Sequence, residues 1–396
     1  MRMNFLTSAA VSLSALSMLT LPVVEANAQN KSQNTDASRP LCSEVLDAAK
    51  RVNAYFMKTT PDPRTPSFVK KMRPSHIWTR GVYYEGLMAL YDIYPDEAYF
   101  DYALQWGQFH EWGFRYGDTD RNADDYCCAQ TYIDLYKLDP SAVNLRHTRA
   151  LMNMLVNTPQ VEDWYWVDAI QMGMPVMAKY GALTGDQRVF DKMWQMYAAT
   201  RNTIGGGLWS QKHGLWWRDA NFVPPYKEPN GQPCFWSRGN GWAFATLVRV
   251  LEVLPANDPH RATYVADFQA MAKALLACQR EDGFWNASLL CEENYGGKET
   301  TGTALFVYGL VWGVRNGLLT EKEYLAPALK AWKGMVDNCI RKNGSLGYVQ
   351  GTGARPEDGQ PATATSTPDF EDYGIGCFLL AASEVYKVSN PNGKVK

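Results

Sequence analysis

Six stretches of this sequence place groups capable of chemistry just ahead of an apolar helical run: PSHIWTRGVYYEG, RNADDYCCAQ, DWYWVDAIQMG, FWSRGNGW, KETTGTA and DFEDYGIG. Nearly all carry a carboxylate or an arginine. Asp, Glu and Thr at a helix start cap free N–H groups and complement the dipole. Taken singly, each therefore reads first as a cap. Arg238 is different, because a positive charge at a helix N-terminus opposes the dipole. It needs another reason to be there, such as a carboxylate partner in the protein or on a ligand. Trp242 follows one helical turn later on the same face.

Metal chemistry has little footing here. The chain has five His, none paired at ligand spacing, and no CxxC among its eight Cys. Cys42, Cys278, Cys339 and Cys377 lie among apolar residues and read as small hydrophobes, and the adjacent Cys127 and Cys128 do not suit a mutual bridge. Mostly free thiols are expected; Cys234 and Cys291, in loops, are the pair to inspect for a bridge. No cofactor is called for.

The elements that position these groups are helical. In 396 residues, 46% are hydrophobic and 20% charged, enough for a large buried core. A net charge of -2 leaves no basic excess to neutralise nucleic-acid phosphates. The 14 Trp and 22 Tyr fill cores, yet flat rings also stack on the C–H faces of sugars, as in glycan clefts. Helical periodicity marks about 42–58, 80–94, 96–112, 124–137, 140–156, 168–183, 186–202, 239–254, 259–279, 301–316, 321–341 and 371–388. These twelve helices fall into pairs joined by short turns such as YDIYPDEAY and YGALTGDQRV. The first of each pair is small and apolar, as in GWAFATLVRVL; the second is amphipathic, as in YVADFQAMAKALLACQ. A unit unable to bury its own faces, repeated six times, predicts an all-α (α/α)6 toroid spanning 41–390 as a single domain, with the first and last helices closing the ring. The long loops 203–238, 280–300 and 342–370 all precede inner helices, so they gather on one rim. An open helical array is the competing architecture.

The N-terminus reads as a secretory signal peptide over 1–28, with Arg2, an apolar run from Phe5 to Val24 and the small-x-small site Ala26-Asn27-Ala28; a polar leader, 29–40, follows. The expected location is periplasmic or secreted, without a membrane anchor.

The stretches WVDAIQMGMPVMAKYGALTGD, SRGNGW, DGFW, ETTGTALFVYGL and DYGIGCFLLAASE, in this order, resemble the unsaturated uronyl hydrolases of glycoside hydrolase families 88 and 105. The resemblance runs from about Trp78 to Glu384. It implies an enzyme acting on lyase-made oligosaccharides whose terminal uronic acid carries a C4=C5 double bond. Protonation and hydration of that enol ether give a hemiketal, which opens and releases the remaining sugar. Rules that tie carboxylate separation to anomeric stereochemistry then do not apply.

Asp168 matches the family's general acid and base, and Asp125 its second aspartate, with the neighbouring Asp124 as the alternative. A helix N-terminus favours the carboxylate form, so protonating Asp168 requires burial or a second carboxylate nearby. Arg238 and Trp242 match the R-G-x-x-W motif, Trp78 matches a pocket aromatic, and Trp166 is a further candidate for substrate binding. The family's cleft histidine aligns with either His213 or Arg218. The expected partner is an unsaturated uronate-containing oligosaccharide. Two other classes compete: an (α/α)6 lyase or inverting glycosidase, the lyase using Tyr126, Tyr165 or His213, and an exported glycan-binding protein without catalysis.

Overall fold

A computed structural model describes residues 39–69, 71–365 and 372–390. The predicted signal peptide and most of the leader lie outside the described residues, as does 366–371 of the last long loop.

In chain order, outer helix α1 (Cys42–Thr59) and hairpin β1–β2 (Ser67–Val69 and Lys71–Arg73) precede inner α2 (Trp78–Ile93) and outer α3 (Glu97–Phe109). Inner α4 (Ala123–Tyr126) and α5 (Ala129–Leu138) are followed by outer α6 (Arg146–Asn157). Inner α7 (Val167–Thr184) and outer α8 (Gln187–Asn202) lead into hairpin β3–β4 (Trp209–Ser210 and Leu215–Trp216). Inner α9 (Ser237–Leu251) with outer α10 (Arg261–Ala277), then inner α11 (Thr300–Arg315) with outer α12 (Glu321–Cys339), bring the chain to inner α13 (Asp372–Ser389). Neighbouring inner helices run α2, α5, α7, α9, α11, α13 and back to α2, while α1 packs on α13. The ring is closed, and it is the expected (α/α)6 toroid rather than an open array.

The predicted helix 124–137 is broken. Gln130 N donates to Cys127 O at 3.0 Å and Thr131 N to Cys128 O at 3.1 Å. These i→i−3 bonds tighten one turn and split α4 from α5 within a single ring position.

The two layers differ as their sequences require. Every residue of α9 is buried, its polar side chains Arg238, Asn240, Thr246 and Arg249 each hydrogen-bonded inside the protein. Outer α10 buries one stripe: Tyr264, Asp267, Phe268, Met271, Ala272 and Leu275. Small residues let the inner helices touch: a Cβ added at Gly376 of α13 would stand 2.1 Å from Val82 O of α2.

Pro175 sits inside α7 and supplies no N–H for the carbonyl of Gln171. Gln130 Nε2 takes that carbonyl at 2.8 Å. The Gln171 side chain in turn donates to Glu85 Oε2 at 2.8 Å and accepts from Thr246 Oγ1 at 3.1 Å. Arg249 Nε bonds Gln130 Oε1 at 2.9 Å and lies 3.7 Å from Glu85 Oε2. This polar core leads to a cavity of about 420 Å³ at the C-terminal ends of the inner helices, lined in part by Glu85, Asp134, Lys179 and Arg249. The long loops gather at the opposite end. All eight cysteines are free thiols; Cys234 and Cys291 are both buried and unbridged. No helix among the described residues is long and apolar enough to cross a membrane.

Candidate active site

The rim is interlocked by one repeated contact. The first N–H of α7, Val167 N, donates to Arg218 O at 2.7 Å, in the connection before α9. The first N–H of α9, Ser237 N, donates to Ala287 O at 2.8 Å, in the connection before α11. The first N–H of α11, Thr300 N, donates to Tyr348 O at 2.8 Å, in the connection before α13. Each loop thus caps the preceding inner helix with a backbone carbonyl. Trp166 and Trp236, the N-cap residues of α7 and α9, make no side-chain cap.

This frees the acids near those starts for other work, and the structure sorts them. Glu299 is a cap: its carboxylate accepts from Thr301 N at 2.9 Å and Gly302 N at 2.7 Å. Asn122 caps α4 by accepting from Asp124 N at 3.1 Å. Asp168 does not cap α7. Its Oδ2 lies 3.1 Å from Arg218 Nε, and Arg218 Nη1 bonds Asp219 Oδ2 at 2.7 Å. Asp219 is fixed by its own turn, with Asn221 N donating to its Oδ1 at 2.8 Å.

Asp124 is the carboxyl that senses Asp168. Burial, then the negative charges of Asp168 and Asp125, push it up to about 7, while Arg218 and Arg115 pull the other way. Asp125 faces elsewhere. Its Oδ1 accepts from Arg115 Nη1 at 3.3 Å, and burial and Asp120 raise it to about 6. Of the two aspartates considered for this role, Asp124 rather than Asp125 is the one raised by the charge of Asp168. Adjacent helical residues point about 100° apart, so one faces the ring axis and the other the Arg115 loop.

Arg218 and His213 also separate. Arg218 reaches Asp168. His213 lies in the turn joining β3 and β4, where its Nδ1 sits 2.8 Å from Ser210 Oγ and its ring packs 5.2 Å from Phe235. Burial and Lys212 lower its pKa. No contact brings it to the two carboxyls.

Arg238 meets the helix start for a reason other than a sugar acid. It is 1% exposed. Its Nη1 bonds Gln350 O at 2.7 Å and its Nη2 bonds Gly351 O at 2.8 Å. Its guanidinium lies 4.6 Å from the Trp236 ring and 5.2 Å from that of Tyr373. Two carbonyls and two aromatic faces supply the negative potential that offsets the dipole. Asn240 of the same stretch clamps β4, accepting from Trp216 N at 2.8 Å and donating to Trp216 O at 3.0 Å. The glycines around it serve packing: a Cβ at Gly241 would stand 2.9 Å from Leu305 Cδ1.

The aromatic residues form a wall. Trp78, the first residue of α2, meets Trp242 edge-on at 6.3 Å and Tyr373 at 5.3 Å. Trp242 is fully buried, and its Nε1 has no hydrogen-bond partner. A buried indole N–H normally finds one, so a donor is left over at this wall. Trp166 packs on the exposed Tyr165 at 4.5 Å. Tyr373, Asp219 and Arg115 were not singled out from sequence; only their closeness to matched motifs marked them.

Against known proteins, the chain is 33% identical over 331 residues to an unsaturated 3S-rhamnoglycuronyl hydrolase of Formosa agariphila, covering 78% of this chain and 84% of that one. Among solved structures, a glycosyl hydrolase family 88 protein from Bacteroides vulgatus is 34% identical with a TM-score of 0.79, covering 88% of this chain and 99% of that one. A structure described as a polysaccharide lyase is 32% identical with a TM-score of 0.79, covering 89% and 99%. The match to the family itself runs from residue 48 to residue 389, across the whole ring and its rim, and the chain belongs to glycosyl hydrolase family 88.

Proposed function

We propose that the protein removes the Δ4,5-unsaturated uronic acid from the non-reducing end of lyase-made oligosaccharides, by protonating C4 of the enol ether and hydrating C5. The observation that carries this reading is the Asp124–Asp168 pair. Alkene hydration needs one proton delivered to carbon and one removed from water. Two carboxyls that repel each other's charge hold one proton between them. Burial and the charge of Asp168 raise Asp124 to about 7, so the proton is present near neutral pH.

In this account Asp168 serves C4 and the incoming water, and Asp124 keeps the pair singly protonated. The proton passes to C4, the π electrons forming the new C–H bond and leaving an oxocarbenium ion at C5. Water adds at C5 and returns its proton to the carboxylate. Trp78, partly exposed at the head of α2, offers a ring face to the sugar, with Trp242 packed edge-on behind it. Reaction in deuterated water tests this directly: one deuterium at C4 of the released uronic acid is expected, and its absence contradicts the mechanism.

The lyase reading has a specific observation behind it, the 32%-identical structure described as a polysaccharide lyase. Two of the lyase bases expected from sequence, Tyr126 and His213, are not assembled here. The Tyr126 hydroxyl is fully buried, accepts from Trp164 Nε1 at 3.3 Å, and is pushed above its ordinary pKa by burial. His213 lies away from the carboxyl pair. Export rests on the N-terminal sequence, and a mature N-terminus after Ala28 is the outcome that supports it.

A further inference from the structure

Resting on that reading, we propose that Arg218 is the receptor for the carboxylate of the terminal uronic acid. On binding, Arg218 exchanges Asp168 for the substrate's carboxylate, so that substrate arrival itself releases Asp168 for proton transfer.

Four other arginines near this rim already hold protein partners. Arg238 gives both Nη atoms to backbone carbonyls. Arg80 bonds Asp372 and Ser67 and, although its Nη1 is unpartnered, is 3% exposed and closed to a ligand. Arg121 grips Asp163 through Nε and Nη2. Arg115 faces Asp125, itself beside Asp120, so that corner is acidic rather than anion-receiving. Arg218 keeps 22% of its side chain exposed. Its Nη2 takes no partner among the described residues. A guanidinium offers five donors in a planar fork, suited to two carboxylates at once.

Its two present contacts are unequal. Asp219 is fixed in a turn and holds Nη1 at 2.7 Å; Asp168 meets Nε at the longer 3.1 Å. Asp219 thus anchors the fork while the Asp168 contact can be given up. The substrate's carboxylate also adds negative charge beside Asp168 and Asp124. The exchange takes the cation from Asp168 and leaves its carboxyl free to turn to the sugar. The groups facing this exchange are Arg218 and Asp219 from the connection before α9, Asp124 and Asp125 from α4, and Arg115 from the segment before it.

The test compares an unsaturated uronyl disaccharide with its uronic methyl ester, in the wild type, Arg218→Gln and Asp219→Asn. A charge-assisted hydrogen bond predicts that the wild type prefers the free acid by about 10–100-fold in kcat/KM. In Arg218→Gln the ratio of acid to ester turnover, each measured within that variant, should fall to about 3-fold or less. Asp219→Asn should weaken the preference partway, a graded effect that global damage would not produce. An acid preference unchanged in Arg218→Gln overturns the proposal. Ester and acid turned over equally by the wild type overturns it too. If the wild type consumes neither, the hydrolase reading falls and takes this inference with it, whereas retained turnover with no charge discrimination sinks the inference alone.

Discussion

Asp124 and Asp168 form one electrostatic unit: the charge of Asp168 helps hold the Asp124 carboxyl up to about 7, while Asp168 itself rests 3.1 Å from Arg218 Nε. Asp124 is kept ready to hold a proton, and Asp168 is paired with an arginine. That division of labour comes from two neighbouring inner helices and one loop.

Removing either carboxyl should separate catalysis from folding. Asp168→Asn and Asp124→Asn are each expected to lower kcat/KM by about 10²–10⁴-fold, the range for a positioned acid or base. Binding of an unsaturated disaccharide, measured by calorimetry, should largely survive. Asp125→Asn should cost less than about 10-fold. A larger loss from Asp125→Asn than from Asp124→Asn would reverse the assignment of the pair.

The pH dependence follows with a definite sign. Burial and the charges of Asp168 and Asp125 raise Asp124 to about 7. The reaction needs the proton, so kcat/KM should fall as pH rises through that value, by about tenfold per unit beyond it. Asp125→Asn removes a negative neighbour and should move this basic limb to lower pH. Arg115→Gln removes a positive neighbour and should move it to higher pH. A limb that stays put in both variants would detach the profile from Asp124.

Arg238 should behave as a structural residue. Replacing it with Met leaves the Gly351 carbonyl without its donor and the Gln350 carbonyl with only the Tyr373 hydroxyl. The expected loss is about 2–4 kcal/mol of stability, read from the urea midpoint. Proteolysis within 342–365 should speed up. An Arg238→Met variant of unchanged stability but strongly raised KM would return this arginine to the substrate.

At the far end of the ring, Arg249→Met should destabilise by about 3 kcal/mol, because the buried Glu85 loses its nearest cation and keeps only the Gln171 amide and the charge of Lys179. Adding Glu85→Gln should recover part of that loss, giving a coupling term in a double-mutant cycle. Turnover by the folded enzyme should be unaffected, since this network faces away from the rim.

How far the sequence could be read depended on how local each cause is. Helix periodicity and small-residue faces are local, and they yielded the toroid. Asp168 and Trp242 stood in recognisable stretches. Asp124 and Asp125 could not be ranked, because adjacent residues differ only in which way the first turn of α4 faces. Arg238 looked like a ligand-binding arginine because its true partners, Gln350 and Gly351, lie more than a hundred residues along the chain. The carbonyl caps that one loop gives to the preceding helix left no mark in composition. The turn at Cys127–Cys128 carries neither Gly nor Pro to announce it.

The most direct measurement follows the enol-ether ultraviolet absorbance on a panel of lyase-made unsaturated oligosaccharides and on the intact polyuronates. The account predicts that absorbance falls on at least one lyase product, stays constant on the intact polymers, and is unchanged by Asp168→Asn. A rise in absorbance on an intact polyuronate would contradict it.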